Sequence, residues 1–419
     1  MWGMAVVVYM AAVFHRGSLG VASLEATNRF GVGPAALGTF TVLQLLVYAA
    51  MQVPTGLLVD RFGPRKILTA AAVLMGLGQV LFAVATSYPL GLLARAVLGF
   101  GDAMTFISLL RLASAHFPAR RYSLVVSITA ALGGLGNLVA TVPLTLLLGK
   151  IGWVPTFLIT GVVTACYALV ASRLKDTPTG PAPRAERVHV REVARSVRTA
   201  WRVPATRLGF WVHFGTMAAP AVMTLLWGFP YLVAGRGLSH EVASSVLGVM
   251  VLVTIVSGPM IGALIGPRPE VRMLLVAGFL VFQVAVWTVL LLWDGMPVAL
   301  LTVAFGLLSL GLPLSAIGFS IARDYNPLHR VGTASGVVNV GGFFATTLSA
   351  LGIGLLLGWT GSYRIALLVP AVLILIGFWR TGVWWRRARA EVFAAEARGE
   401  EVPVRIRPRR WDADPVVIV

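Results

Sequence analysis

Apolar runs of about 20 residues recur along the chain almost from its first residue, separated by short polar connections. A helix rises about 1.5 Å per residue, so such a run crosses a hydrocarbon core about 30 Å thick, whereas barrel strands would be shorter and alternate in polarity. The pattern predicts twelve helices, at 4–24, 35–58, 67–86, 89–114, 123–149, 154–173, 207–233, 242–266, 272–293, 296–322, 332–358 and 364–385. After the sixth, the stretch from Arg173 to Arg207 interrupts the series. Its first part, with TPTGPAP, predicts irregular structure, and Val190, Val193, Val197 and Trp201 then recur at helical spacing among arginines, the pattern of a helix lying on a membrane surface. The predicted organisation is a six-helix bundle over 1–173, a loop over 174–206, a second bundle over 207–386 and a polar tail over 387–419.

The two halves look like copies. Pro118, Arg121, Gly133, Gly149 and Gly152 recur at the same offsets as Pro327, Arg330, Gly342, Gly358 and Gly361, which makes the fifth and eleventh helices equivalent members of two repeats. Both are rich in small residues, GGLGNLVA and SGVVNVGG, and small residues let helix backbones approach closely. The fold class is therefore an all-α integral membrane protein of two pseudo-symmetric six-helix bundles, the architecture of carriers whose repeats rock about a central site.

Composition agrees: 58% of residues are hydrophobic, 12% are charged, and the mean hydropathy is +0.85. The net charge of +18 does not point to nucleic acid, because the basic residues gather in the connections of one side, such as Arg61, Arg65, Lys66, Arg120 and Arg121. The opposite connections hold little beyond Arg29, Lys150, Arg236 and Arg364. Basic loops stay in the cytoplasm, so both termini are expected there, in a multi-pass protein of the cell membrane. Cys166, the lone cysteine, reads as a small buried residue of the sixth helix and can form no internal disulfide. No cleavable signal is evident, and the absence of a basic flank before the first helix leaves open a start upstream of Met1. Metal-ligand spacings, a nucleophile with paired histidine and acid, and a phosphate loop are all missing, so the chain reads as neither an enzyme nor a nucleotide-driven pump, with no cofactor.

Between the second and third helices the sequence reads GLLVDRFGPRKIL. Gly56, Asp60, Arg61, Gly63, Arg65 and Lys66 resemble the signature loop of the major facilitator superfamily, a resemblance that extends to the twelve helices, the repeat and the long central loop. Physically, Asp60 at the end of the second helix is suited to face the positive N-terminus of the eleventh, where Thr333 and Ser335 are candidate caps, forming a cytoplasmic gate. The matching loop of the second half, GALIGPRPEVR, has no acid in that place, so the second gate is expected to be degenerate.

The fourth helix carries RAVLGFGDAM, with Arg95 and Asp102 seven residues apart on one face. A charge facing lipid is costly, so both should point into the bundle. The first helix places His15 and Arg16 at a depth close to that of Arg95. Two arginines at one level attract an anion, and guanidinium groups grip carboxylates through paired hydrogen bonds. The pattern resembles the anion:cation symporter branch, which implies that Arg16 and Arg95 bind the substrate carboxylate and that Asp102 takes part in proton coupling. His15 stands where that branch often has an acid and is assigned to the same coupling. The expected mechanism is an internal Arg95–Asp102 pair that protonation of Asp102 releases.

Among the other polar residues, Arg111 is expected to snorkel to lipid headgroups, His213 to pack, Asn137 and Asn339 to bond across helices, and Glu25 and Arg29 to serve the surface. Gly228 and Pro230 in LWGFPYL predict a bend in the seventh helix. The combined expectation is a monomeric carrier in the lipid bilayer, coupling a proton to uptake of a small anionic substrate. Its rivals are a proton-antiport exporter of drugs or hydrophobic metabolites, with the aromatic residues as its binding surface, and a transport-dead sensor.

Overall fold

In a computed structural model the described residues are 1–32, 34–177, 190–404 and 406–409. Residues 178–189 of the central loop, which hold all of TPTGPAP after Thr177, and the last ten residues of the tail fall outside them. The chain order is α1 Trp2–Val21, α2 Ser23–Phe30, α3 Pro34–Phe62, α4 Pro64–Val84, α5 Tyr88–His116, α6 Ala119–Ile151 and α7 Trp153–Ala171. Next come α8 Val190–Arg202 in the central loop and α9 Pro204–Val222, which continues through α10 Gly228–Pro230 to Gly235. The remainder is α11 His240–Ile265, α12 Arg272–Leu292, the broken run α13 Val298–Leu308, α14 Gly311–Ser315 and α15 Ile317–Asp324, then α16 Val331–Thr360, α17 Tyr363–Ala366 and α18 Leu368–Ala397. No strand occurs among the described residues. Ten of these runs are long and apolar enough to cross a membrane, and α1 and α6 supply the other two of the twelve predicted segments.

Local chemistry explains the boundaries. Proline opens α4 and α9 and falls within the first turn of α5, where its missing N–H costs nothing and its fixed φ suits a helix start. Around Gly228 and Pro230 the seventh span passes through two π-helical turns, Met223–Trp227 and Tyr231–Gly235, the device expected where a glycine and a proline interrupt the ladder. The last helix runs to Ala397, about twelve residues past its predicted end at 385, because AEVFAAEA is a strong helix former.

The described chain forms two compact units. The first comprises Met1–Pro118, Thr129–Val197 and Leu328–Gly336, and the second comprises Ala119–Ile128, Arg198–Pro327 and Val337–Val419. The opening turns of α6 and α16 are thus exchanged relative to the sequence halves. An aromatic cluster of Phe30, Phe40, Phe82 and Phe157 with Trp153 anchors the first unit, and Tyr231, Trp287, Phe305 and Ile353 lie in the main core of the second.

Repetition is visible in detail. Gly152 and Gly361, equivalent by offset, end α6 and α16 with φ of 76° and 64°, the left-handed conformation that glycine alone adopts without strain. A side chain at Gly133 would strike Tyr9 of α1, and one at the equivalent Gly342 would strike His213 of α9. Arg29 is not merely a surface residue: it donates to the carbonyls of Ala83 and Ala85, at 3.0 and 2.7 Å, at the end of α4. Arg236, in the equivalent loop, donates to the carbonyls of Trp293 and Asp294 at the end of α12. Each repeat thus satisfies the bare C-terminus of its third spanning helix with an arginine from the loop after its first. Cys166 lies on the exposed side of α7 rather than in the core.

Candidate functional site

Within the first unit, α1 and α5 bring two of the four predicted central residues, Arg16 and Asp102, into side-chain contact. Arg16 grips Asp102 with both arms of its fork: Nη2 to Oδ1 at 2.7 Å and Nε to Oδ2 at 3.0 Å. The Asp102 side chain is 1% exposed and that of Arg16 is 22% exposed, so the pair is buried on the acid side and open on the arginine side. The Arg16 guanidinium also lies over the ring of Tyr48, 4.9 Å from its centroid. A bidentate pair of this kind is both strong and directional.

Arg95 stands apart from that pair, which corrects the expected Arg95–Asp102 contact. It is fully buried, donates from Nη1 to the backbone carbonyl of His15 at 3.1 Å, and reaches Gln44 Oε1 at 3.5 Å. Its guanidinium stacks on Phe82, 4.1 Å from the ring centroid. Seven residues along α5 put Arg95 and Asp102 on one face but two turns apart, and α1 supplies a nearer partner for each. The His15 side chain turns to Thr164 of α7, with Nε2 2.8 Å from Oγ1. Asn137 of α6 borders the site, where a Cβ on Gly17 would meet its Oδ1. The Arg16–Asp102 pair is formally neutral, and Arg95 adds a second guanidinium to the unit from its separate place beside the His15 carbonyl and Phe82. Sequence reasoning did not single out Tyr48, because an aromatic residue in a hydrophobic helix carries no signal of its own.

A second cluster surrounds the signature loop. Asp60 accepts hydrogen bonds from Gly332 N at 2.9 Å, Thr333 N at 2.6 Å and Thr333 Oγ1 at 2.8 Å, so the carboxylate sits on the first turn of α16. Free N–H groups and the helix dipole favour a negative group there. Of the two predicted caps, Thr333 takes part, while the buried Ser335 hydroxyl makes no hydrogen bond among the described residues. Arg111 is not at the headgroups but buried, with Nε 3.3 Å from Asp60 Oδ1. Gly56 permits this approach, because a Cβ there would lie 2.5 Å from the Gly332 carbonyl oxygen. Gly63 has φ 82°, and Arg65 N donates to Asp176 Oδ1 at 2.7 Å, so the loop is tied to the chain after α7. The Arg61 guanidinium covers the ring of its neighbour Phe62, and the side chains of Arg65 and Lys66 are exposed. The basic residues are thus peripheral to the carboxylate cluster.

Among the described residues, the equivalent region of the second unit shows no matching acid in the contacts of the α6 turn. Gly262 and Gly266 pack against Ser127 and the Arg120 carbonyl, and Ser123 bonds to Ser320 between hydroxyls at 2.9 Å. His213 is buried, with Nδ1 3.2 Å from the Ser315 carbonyl oxygen. Trp227 of LWGFPYL donates to the Ala350 carbonyl at 2.9 Å, a packing role.

Among known proteins, the sequence profile of the Major Facilitator Superfamily matches residues 5–316. The chain belongs to that superfamily. As a superfamily member it is a membrane transporter. It is 24% identical over 400 residues, 90% of its length and 91% of the relative's, to the probable sulfoacetate transporter SauU of Cupriavidus necator. It is 23% identical over 399 residues, 86% and 87% of the two lengths, to the probable galactarate/D-glucarate transporter GudP of Escherichia coli. The fold is shared with the E. coli fucose:proton symporter FucP, at a TM-score of 0.69 and 14% identity over 91% of this chain and 98% of that one.

Proposed function

We propose that the protein imports a small organic anion together with a proton, with Arg16 as the substrate-facing cation and Asp102 as the proton carrier. The observation that carries this reading is the two-armed Arg16–Asp102 contact, closed on the acid side and open on the arginine side. An ionised Asp102 occupies both arms of the fork. Protonation removes its charge and half its acceptor capacity, and frees the guanidinium for a carboxylate or sulfonate brought by the solute. Proton and anion then load together, and the excess positive charge contributed by Arg95 favours the anion in either state. Arg95 and His15 act as positioning residues, holding α1 against α5 and α7. The relatives named for sulfoacetate and for galactarate/D-glucarate make short carboxylates, sulfonates and sugar diacids the first solutes to try.

The one-sided distribution of basic loops supports a cytoplasmic location for both termini, and on that side the Asp60 cluster works as a latch on α16. Release of that latch accompanies the alternation of access.

The test is uptake into proteoliposomes of radiolabelled sulfoacetate, galactarate and related acids. Uptake is expected to rise as the outer solution is acidified, because loading consumes a proton. Asp102→Asn is expected to abolish the response to an imposed pH gradient while retaining counterflow exchange. Loss of both activities in a folded variant overturns this division of roles.

A further inference from the structure

In the second unit, α9 and α18 exchange arginines and tryptophans. Arg207 of α9 lies over the ring of Trp384 of α18, 4.5 Å from its centroid, and Arg380 of α18 lies over the ring of Trp211 of α9, at 5.1 Å. Arg387, three residues beyond Trp384, lies over the same Trp384 ring at 4.8 Å. Helical spacing produces the pattern: Arg380, Trp384 and Arg387 stand at i, i+4 and i+7 on one face of α18, and Arg207 and Trp211 at i and i+4 on one face of α9. Each guanidinium thereby rests its flat face on an aromatic ring.

The edges of these groups are less well served. Arg207 donates from Nε to the Trp201 carbonyl. The buried Nε atoms of Arg380 and Arg387 make no hydrogen bond among the described residues, nor do the indole Nε1 atoms of Trp211 and of Trp384, a residue only 5% exposed. Guanidinium and indole groups donate and cannot accept, so each of these four atoms calls for an acceptor. The charges are unmatched as well. Arg380 and Arg387 both act electrostatically on Arg207, and among the described residues none of the three pairs with a carboxylate. Three like charges and four idle donors in a half-buried place are costly unless an anion joins them.

Position says which kind of anion. Arg207 stands in the first turn of α9, and Arg380 to Arg387 span about 10 Å of the last spanning helix at 1.5 Å per residue. Both stretches lie at the end of the helices where the basic loops gather. The polar layer on each side of a bilayer is about 5–8 Å thick, so the arginines cover the headgroup level and the top of the hydrocarbon. Arg380 also lies over Trp379, at 5.6 Å, and Trp379 is 64% exposed beside an exposed Phe378. The cluster therefore opens onto an apolar outer face of α18, with tryptophan at the boundary as is usual at membrane interfaces.

We propose that this cluster binds the anionic headgroup of one phospholipid, its phosphate held by Arg207, Arg380 and Arg387 with the Trp384 indole as a further donor. Basic pockets between spanning helices suit such headgroups. A soluble phosphate offers the same oxygens but no acyl chain to lie along the exposed face of α18. The proposal needs only the membrane placement of α9 and α18 and is independent of the transported solute.

Native mass spectrometry of the full-length protein in detergent, supplied with equimolar phosphatidylglycerol and phosphatidylcholine of the same acyl chains, reads the bound lipid directly. The wild type is expected to retain one phosphatidylglycerol about tenfold in preference to phosphatidylcholine, the effect of three partly screened arginines. Arg380→Gln with Arg387→Gln is expected to bring that preference close to parity. The single Arg387→Gln leaves both stacks between α9 and α18 in place, so it stays readable if the double variant does not fold, and should lower the preference about threefold. Arg386→Gln removes the same charge from an exposed neighbour outside the cluster and should keep the preference of the wild type. Excess inorganic phosphate should leave the lipid bound. Equal retention of the two lipids by wild type, an undiminished preference in Arg387→Gln, or an equal fall in Arg386→Gln overturns the assignment. So does displacement by inorganic phosphate, which marks a site for a soluble anion instead.

Discussion

Replacing Asp60 by Asn tests the latch with little change of shape. The carboxylate accepts three hydrogen bonds from Gly332 and Thr333 and pairs with a buried Arg111. Asparagine keeps one oxygen for the Thr333 donors but presents an NH₂ group to the Gly332 N–H and loses its charge. Hydrogen bonds to charged groups contribute about 1.5–3 kcal/mol each, and Arg111 is left without a counter-charge, so the contact should weaken by about 2–4 kcal/mol. That corresponds to roughly a 30- to 700-fold shift in the balance between latched and released states. Ser335, fully buried in the same turn of α16, reports the change. Replacing the lone Cys166 by serine and Ser335 by cysteine leaves a single thiol for a membrane-impermeant maleimide. In vesicles exposing the basic loops, Asp60→Asn is expected to raise the labelling rate at least about tenfold. A folded variant that labels at the parental rate would refute the reasoning that Asp60 holds α16 in place.

Other perturbations separate the remaining roles. Arg16→Lys keeps the charge but cannot span two oxygens, so the KM for the transported anion should rise about tenfold or more, read in proteoliposome uptake. Arg95→Lys, by contrast, should lower the thermal midpoint while leaving the KM of the surviving protein near wild type; a selective KM change would return Arg95 to the substrate. Gly56→Ala puts a methyl 2.5 Å from the Gly332 carbonyl oxygen, and the overpacking, about 1–3 kcal/mol, should mimic Asp60→Asn in the labelling assay. Arg29→Ala and Arg236→Ala each remove an arginine from bare helix carbonyls, and each should cost about 1–2 kcal/mol, seen as a fall of a few degrees in the thermal midpoint.

Much of the architecture was legible because lipid punishes exceptions. A helix that must satisfy its own backbone across a fixed thickness announces itself as a run of apolar residues, and the twelve segments were found on that ground alone. The glycine register of the repeat was equally readable, and Gly152 and Gly361 share a left-handed turn that no neighbouring residue type would accept. Partner choice was not legible. Spacing along α5 aligned Arg95 with Asp102, but which arginine reaches the acid depends on the rotation of α1, which the sequence does not encode locally. Arg111 was misread for the same reason: its position near a helix end suits either lipid or a carboxylate, and only the packing of α3 beside α5 decides. Asp176 lies a hundred residues from the loop it ties down, beyond the reach of any local motif.

Where Gly56 meets Gly332, and where Gly336 meets the Gln52 carbonyl, two helix backbones touch with no side chains between them. Side chains interlock little at these points, although Val59 and Asp60 flank Gly332. On the latch reading proposed above, resistance to parting is concentrated in the handful of polar contacts at Asp60. A joint of this type can be tuned in speed by a single residue, without redesign of the rods it connects.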